Sequence, residues 1–401
     1  LERMPDTNTI RHFSWLSPDD EARLFHQAPI AFSRHEGVER LAVALGATLY
    51  MPATRPTIAN DLQALAGRGV VSAVLCLEDA IPDAAIRDAE RNLVSQLHEL
   101  AAVVASQAYA LPLIFIRVRE VSQIARVVED AGEASTLISG FVLPKFSPDT
   151  GRGYLDEVRR VGIETSNRYL AMPVLESGAV LHLETREPSL LRIRDLLQEF
   201  SDQVLAVRLG ATDLLAIYGL RRPRDITVYE IPLLAHALAD VVNVLGRLDD
   251  GHVITGPVWE YFAASDRLFK PQLRQTPFEM RHASHLRQAL LTRDIDGLIR
   301  EAVLDRANGL TGKTVIHPSH VLPIHALSVV PFEEYKDAVD VIEGLGSGGV
   351  RASSFRNKMN EGKPHTSWSQ RTLLRAEVFG VAASDVTFVE FLQVGDDLLR
   401  G

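Results

Sequence analysis

Residues 113–145, LIFIRVREVSQIARVVEDAGEASTLISGFVLPK, decide the fold. Leu113-Ile114-Phe115-Ile116-Arg117 is a short apolar run closed by a cation. A longer helical pattern follows, and then Gly140-Phe141-Val142-Leu143-Pro144 forms a second run, closed by Lys145. Strands that read as near-continuous apolar runs are buried on both faces, and their alternation with helices builds parallel sheet. The same unit recurs outward in both directions. Towards the N-terminus stand Thr48-Leu49-Tyr50-Met51-Pro52 and residues 71–77. Towards the C-terminus come residues 169–175 and 204–209, then His252-Val253-Ile254 and Thr314-Val315-Ile316.

Eight such runs separated by helices predict an α/β chain folded as a closed (β/α)8 TIM barrel rather than an open doubly wound sheet. No GxGxxG or GxxxxGK[ST] loop follows any of them, so the nucleotide-binding form of the open sheet lacks its signature. The barrel is assigned to residues 47–343, preceded by an N-terminal helical lead-in over 1–46. Ser17-Pro18-Asp19-Asp20-Glu21 marks a helix start within that lead-in. Residues 344–401 open on the glycine-rich hinge 344–349 and continue through Lys363-Pro364-His365-Thr366-Ser367-Trp368 into an amphipathic helix. A tail on such a hinge either folds over the barrel mouth as a lid or packs on the barrel exterior or a neighbouring subunit.

The 401 residues are 46% hydrophobic and 23% charged, enough apolar material for one large core. A formal net charge of -10 argues against nucleic-acid binding, which needs a contiguous surplus of Lys and Arg. Arg221, Arg222 and Arg224 come nearest to one, and they suit a small anion or a solvated loop. The single cysteine, Cys76, lies in an apolar run and rules out disulfide frameworks and multi-cysteine metal sites. No apolar run is long enough to span a bilayer, and the N-terminus lacks the pattern of a signal peptide. A cytoplasmic protein with neither membrane nor nucleic-acid partners is expected.

In such barrels the reacting groups stand at the C-terminal ends of the strands, so the polar residues that close each run carry the information. Here they are Arg55, then Glu78 and Asp79, Arg117 and Arg119, Lys145, Glu176, Asp213, Glu260, and His317. Glu176 and Asp213 end neighbouring runs, and oxygen-only ligands suit a hard cation, Mg²⁺ or Mn²⁺, that keeps several waters. Open positions on that ion can chelate a 2-oxo acid or another carboxylate and polarise its carbonyl. Arg117 can offset the negative oxygen of an enolate, and Glu78 and Asp79 can orient water, position Arg117 or carry a proton. His317, His320 and His325 lie close together, yet their spacing matches no zinc pattern. Glu176-Ser177-Gly178 is no GxSxG elbow, and Ser177 is expected to cap a helix.

Read in order, residues 49–56 (LYMPATRP), 77–81 (LEDAI), Ile116-Arg117-Val118, Leu143-Pro144-Lys145, Val174-Leu175-Glu176-Ser177, 210–214 (GATDL) and 312–318 (GKTVIHP) resemble the citrate lyase β-subunit-like proteins of the HpcH/HpaI aldolase superfamily. The tail is similar to the branch known as C–C bond lyases of the TIM-barrel fold. That resemblance implies that Glu176 and Asp213 ligate Mg²⁺, that Arg117 contacts the substrate carbonyl, and that Glu78 and Asp79 form the acidic pair behind the metal. It also implies that Arg55 helps hold an anionic substrate and that the chain forms a homo-oligomer. Ala53, Arg119, Ile86 and Glu90 depart from the family pattern in the region that would meet a thioester carrier, which speaks against a CoA thioester substrate.

The expectation is therefore a Mg²⁺-dependent C–C lyase or aldolase acting on a small oxo or hydroxy carboxylate through an enolate. Arg55, Arg119 and Lys145 are the expected substrate-binding groups. Two rivals are a metal-dependent thioester hydrolase and a non-catalytic barrel that binds partners.

Overall fold

The computed structural model of the chain describes residues 9–79, 81–106, 110–262, 295–344, 350–352 and 359–400, together with Leu286. Seven parallel strands form one curled sheet: β1 (Ala47–Pro52), β2 (Ser72–Cys76), β3 (Leu113–Arg117), β4 (Ile138–Leu143), β5 (Leu170–Leu175), β6 (Arg208–Leu209) and β7 (Lys313–Val315). They are hydrogen-bonded in the order β6-β5-β4-β3-β2-β1-β7. The expected eighth strand is the exception. Residues 252–256 make only single parallel bridges, Val207 to Ile254 and Gly256 to Lys313, and these two bridges carry the ring from β6 round to β7.

Strand alternation sorts the core into two shells. Leu49, Met51, Ala73, Leu75, Ile114, Ile116, Phe141, Leu143 and Leu175 point outward and pack under the helices. Val74, Phe115, Val142, Met172, Val174 and Tyr50 point inward and fill the barrel. Ile10, Phe32, Leu41, Leu45 and Phe379 belong to that inner shell, so the lead-in and the tail together plug the N-terminal end of the barrel.

Side chains hold the weak arc of the ring. Lys313 Nζ on β7 donates to Glu301 Oε1 (2.9 Å) and Asp305 Oδ2 (2.6 Å) of helix Ile295–Ala307, and all three are buried. Arg222 donates to Glu301 Oε2 (2.6 Å) and to the Val258 carbonyl (2.6 Å), and its guanidinium lies over the Trp259 ring. Tyr229 adds a hydrogen bond to Asp305 (2.7 Å). A Cβ on Gly256 would come within 2.5 Å of Asp305 Oδ2, so only glycine lets the bridging segment pass this cluster. Arg222 is thus a structural residue, and the arginine loop does not present it to an anion.

The described part of the tail lies at the N-terminal end of the barrel, on the side away from the strand-end carboxylates. Helix Gly362–Phe379 packs on helix Phe332–Glu343, where Arg375 meets Glu334 (2.7 Å). Val381–Ala382 then pairs antiparallel with Phe25–Gln27 of the lead-in. Thr387 and Glu390 form a capping box on helix Phe388–Val394, and Phe391 sits against Phe13 and Phe25. The described tail residues thus pack at the end of the barrel opposite the mouth; most of the glycine hinge, 345–349, lies outside the described residues. No helix among the described residues is long and apolar enough to cross a membrane.

Buried histidines join these flanks to the barrel. Ala47 N–H donates to His325 Nε2 (3.1 Å), so this ring is neutral with its proton on Nδ1. His12 stands edge-on to it at 4.5 Å and pairs with the Ala44 carbonyl (3.0 Å). Gly46 turns between them with φ +52, where a Cβ would strike His325 at 2.7 Å. Burial lowers His12 to about 3 and His325 well below its ordinary value, and burial with the charge of His317 lowers His320 to about 3.

A group depressed in the folded state stabilises the fold above its unfolded pKa and loses that contribution as pH falls. Each of these three histidines therefore adds a proton taken up on unfolding below about pH 6.5, steepening the pH slope of the unfolding free energy from urea titrations by about 1.4 kcal/mol per pH unit. His12→Phe should make that slope shallower by about one proton; an unchanged slope would show that His12 is not held neutral.

Candidate active site at the barrel mouth

The groups that close β2, β3, β4, β5 and β6 meet at one point. Arg117 Nη2 lies 2.8 Å from Glu78 Oε2, 3.1 Å from Asp79 Oδ2, and 3.0 and 3.2 Å from the two oxygens of Glu176. Four carboxylate oxygens thus share a nitrogen that has only two protons to give. Lys145 Nζ pairs with Glu78 Oε1 (2.6 Å) and approaches Asp79 Oδ1 (3.7 Å).

The local backbone is bent to serve this cluster. Lys145 holds φ +47, an unfavourable conformation for a residue with a side chain, and its N–H donates to Glu176 Oε1 (2.8 Å). Gly210 closes β6 where a Cβ would lie 2.5 Å from Glu176 Oε2, so the Glu176 carboxylate occupies space that only glycine leaves. Asp213 stands in the first turn of the short helix Ala211–Ala216 that follows.

Crowding of like charge shows in the acidities. Burial raises Glu176 to about 7, with Asp213 and Glu78 adding to the rise against Arg117 and the Lys145 N–H. Burial and the charge of Asp79 raise Asp213. Glu78 is raised by burial and by Asp79, whereas for Asp79 the effect of burial is outweighed by Glu78, Arg117 and Lys145, and it is lowered. Hydrogen bonding to Glu78 raises Lys145.

These features fit a divalent cation. The donors are all oxygen, and four carboxylates, Glu78, Asp79, Glu176 and Asp213, face two cations in the cluster, Arg117 and Lys145, which leaves two negative charges uncompensated. Among the described residues no three His, Cys, Asp or Glu side chains form a ready-made cage. A cation held by Glu176 and Asp213 would complete its shell with water or substrate, the habit of Mg²⁺.

Two of the expected substrate-binding groups, Arg55 and Arg119, pair outside the carboxylate cluster, although Arg119 lines the cavity beside it. Arg55 is exposed and pairs through Nε and Nη2 with Asp61 (2.9 and 2.8 Å) rather than reaching the cluster. Arg119 braces the loop after β2: its guanidinium binds Asp83, the Glu78 carbonyl (3.1 Å) and the Ile81 carbonyl (2.8 Å). Ser177 is at the N-cap of the turn Gly178–Leu181, but its hydroxyl makes no capping bond and is buried without a partner. Beside the cluster is a cavity of about 350 Å³ lined by Glu78, Asp79, Asp83, Arg119, Lys145 and Tyr154. Tyr154, from helix Gly151–Thr165, was not legible as a site residue, because its position on a helix face carries no sequence signal. Tyr50 and Arg208, a tyrosine and an arginine inside apolar strands, are a visible anomaly in the sequence.

A family model described as C–C bond lyase of the TIM-barrel fold matches residues 39–381. Among solved structures, CitE from Mycobacterium tuberculosis, determined with magnesium, acetoacetate and coenzyme A, is 17% identical with a TM-score of 0.51, over 86% of this chain and 99% of that one. A citrate lyase from Burkholderia xenovorans is 14% identical with a TM-score of 0.58, over 89% of this chain and 96% of that one. At such identities the likeness is one of fold. No curated protein matches the sequence.

If Arg119 braces the loop that carries Glu78 and Asp79, Arg119→Met should speed amide hydrogen exchange across residues 78–86 by about 10-fold or more while leaving β5 protected. Unchanged exchange in that loop would return Arg119 to the list of free substrate-binding cations.

Proposed function

Because the chain belongs to the family of C–C bond lyases of the TIM-barrel fold, we propose that it is a Mg²⁺- or Mn²⁺-dependent lyase or aldolase that cleaves or forms a carbon–carbon bond beside the carbonyl of a small oxo or hydroxy carboxylate. The observation that carries this reading is the convergence of Glu78, Asp79 and Glu176 on one nitrogen of Arg117, with Asp213 adjacent and the charge unbalanced by two.

Glu176 and Asp213 would hold the cation, which when bound polarises the substrate carbonyl as a Lewis acid. Arg117 supplies a second positive centre for the oxygen that gains charge as the bond breaks. Fixed by three carboxylates, its guanidinium needs little reorganisation when that charge appears. Glu78 and Asp79 differ in acidity, one raised and one lowered, so Glu78 is the member of the pair suited to take up a proton during the reaction. Lys145, half-exposed beside them, is the group placed to meet a substrate carboxylate. Arg55 enters this reading as a support of the first loop, and Arg119 both braces the loop after β2 and lines the substrate cavity.

The cavity of about 350 Å³ has the size of a small-acid site. The magnesium, acetoacetate and coenzyme A held by the M. tuberculosis neighbour are consistent with a carboxylate ligand on this fold. For this chain the acid itself, rather than its coenzyme A thioester, is the proposed substrate. Homo-oligomeric assembly in the cytoplasm is part of the same reading.

Calorimetry with Mg²⁺ tests the metal assignment: Glu176→Ala and Asp213→Ala should each weaken binding by about 10-fold or more. Wild-type affinity in both variants would remove the cation from these residues. Product analysis tests the chemistry, since a lyase yields two carbon fragments and a thioester hydrolase does not.

A further inference from the structure

One cation in the barrel stands apart from the acidic mouth. Arg208 lies on β6, is 1% exposed and points into the barrel, where branched aliphatic side chains usually fill the space. Its guanidinium meets hydroxyls, a thioether and an aromatic face: Thr314 Oγ1 at 2.8 Å, Thr48 Oγ1 and Met172 Sδ at 3.4 Å each, and the Tyr50 ring at 5.5 Å. Nε has no acceptor. Among the described residues Arg208 forms no ion pair, whereas the other fully buried cations, Arg222 and Lys313, each rest on carboxylates.

A guanidinium stays charged inside proteins, and a buried charge without a counter-charge destabilises the fold. What the charge faces explains its presence. Arg208 pairs in register with Val174, so it lies one inward-facing step below Glu176. The Tyr50 ring, 5.5 Å from the Arg208 guanidinium, is also within the fields of Arg117 and of the Glu176 carboxylate. In an interior that screens poorly, a fixed charge at that depth acts on whatever binds at the mouth.

We propose that Arg208, acting through Tyr50, is a positioning charge beneath the reaction centre, a positive floor that favours a planar, multiply anionic carboxylate or enolate at the mouth and is retained although it weakens the fold. The proposal rests on the reading of the mouth as a cation and carboxylate site. Its chemistry selects ligands with more than one negative charge over neutral carbonyl compounds.

Wild type, Arg208→Met and Arg208→Lys should be compared in urea unfolding, in Mg²⁺ calorimetry, and in binding of oxalate with Mg²⁺ present. Oxalate is the probe because it has the shape and charge of a 2-oxo acid enolate. Arg208→Met should raise the urea midpoint, tighten Mg²⁺ binding a few-fold, and weaken oxalate by about 10-fold or more. Arg208→Lys, which keeps the charge but loses the hydrogen-bond fork, should hold oxalate within about 3-fold of wild type.

A lower midpoint in Arg208→Met with unchanged oxalate affinity would make Arg208 an ordinary core residue and overturn the proposal. Equal oxalate losses in the Lys and Met variants would assign the effect to hydrogen bonds rather than charge, and would overturn it as well. If Mg²⁺ binds through Glu176 and Asp213 but oxalate affinity ignores residue 208, this inference fails while the metal assignment stands. If wild type binds no Mg²⁺, the reading of the mouth fails and the proposal falls with it.

Discussion

The ring of this barrel is closed by buried charge. Over most of its circumference backbone hydrogen bonds join neighbouring strands, but between β6 and β7 the ladder thins to two single bridges. There Lys313, Glu301, Asp305 and Arg222 form a fully buried cluster that ties a strand, a helix and a loop together. Two cations face two carboxylates, every contact is short, and the Tyr229 hydroxyl and the Val228 N–H occupy further acceptor positions. Such a cluster contributes little net stability over an apolar one, but breaking it by removing one partner strands the rest. It therefore fixes geometry. The ends of β5 and β6, which carry Glu176 and Asp213, are spaced by their own pairing, and the shut ring ties that pair to β7.

The mouth works on the opposite electrostatic logic. There the charges do not balance, and burial, with neighbours of like sign adding to it, makes Glu176, Asp213 and Glu78 harder to ionise than an ordinary carboxyl group. The strained backbone at Lys145 and the missing Cβ at Gly210 belong to the same device, because both give the Glu176 carboxylate its place. A fold that balances charge in its seam and leaves it unbalanced at its mouth separates support from reactivity.

How much of this was legible in the sequence follows from what each residue type can signal. Runs such as LIFIR and GFVLP announce buried parallel strands because few other structures bury both faces, and β3 and β4 lie where those runs lie. Residues 252–254 read equally well as a strand, yet Gly256 and Pro257 beside them and the ion cluster beneath replace the ladder with side chains, a tertiary effect no local pattern encodes. Strand-end charges converge because the barrel makes them, so Arg117, Glu78, Asp79, Lys145 and Glu176 come together. Arg55 and Arg119 stand at strand ends too, but each has a carboxylate nearer than the mouth, Asp61 and Asp83. Partner choice of that kind depends on distances that spacing along the chain does not give.

The pairing of Phe25–Gln27 with Val381–Ala382, and the place of Phe379 in the inner shell, bear on how the molecule is made. A chain emerging from the ribosome can lay down strands and helices in order, each resting on the one before. The floor of the barrel cannot be laid that way, since Phe379 and Val381–Ala382 arrive only after every strand of the sheet has been synthesised. Until then the apolar bottom of the barrel, ringed by Leu113, Leu170 and Leu205, stays open to solvent and to other nascent chains. The contact between residues 25–27 and 381–382 spans most of the sheet in sequence, so closing it carries a high loop-closure cost and makes that step a natural point for chaperone attention.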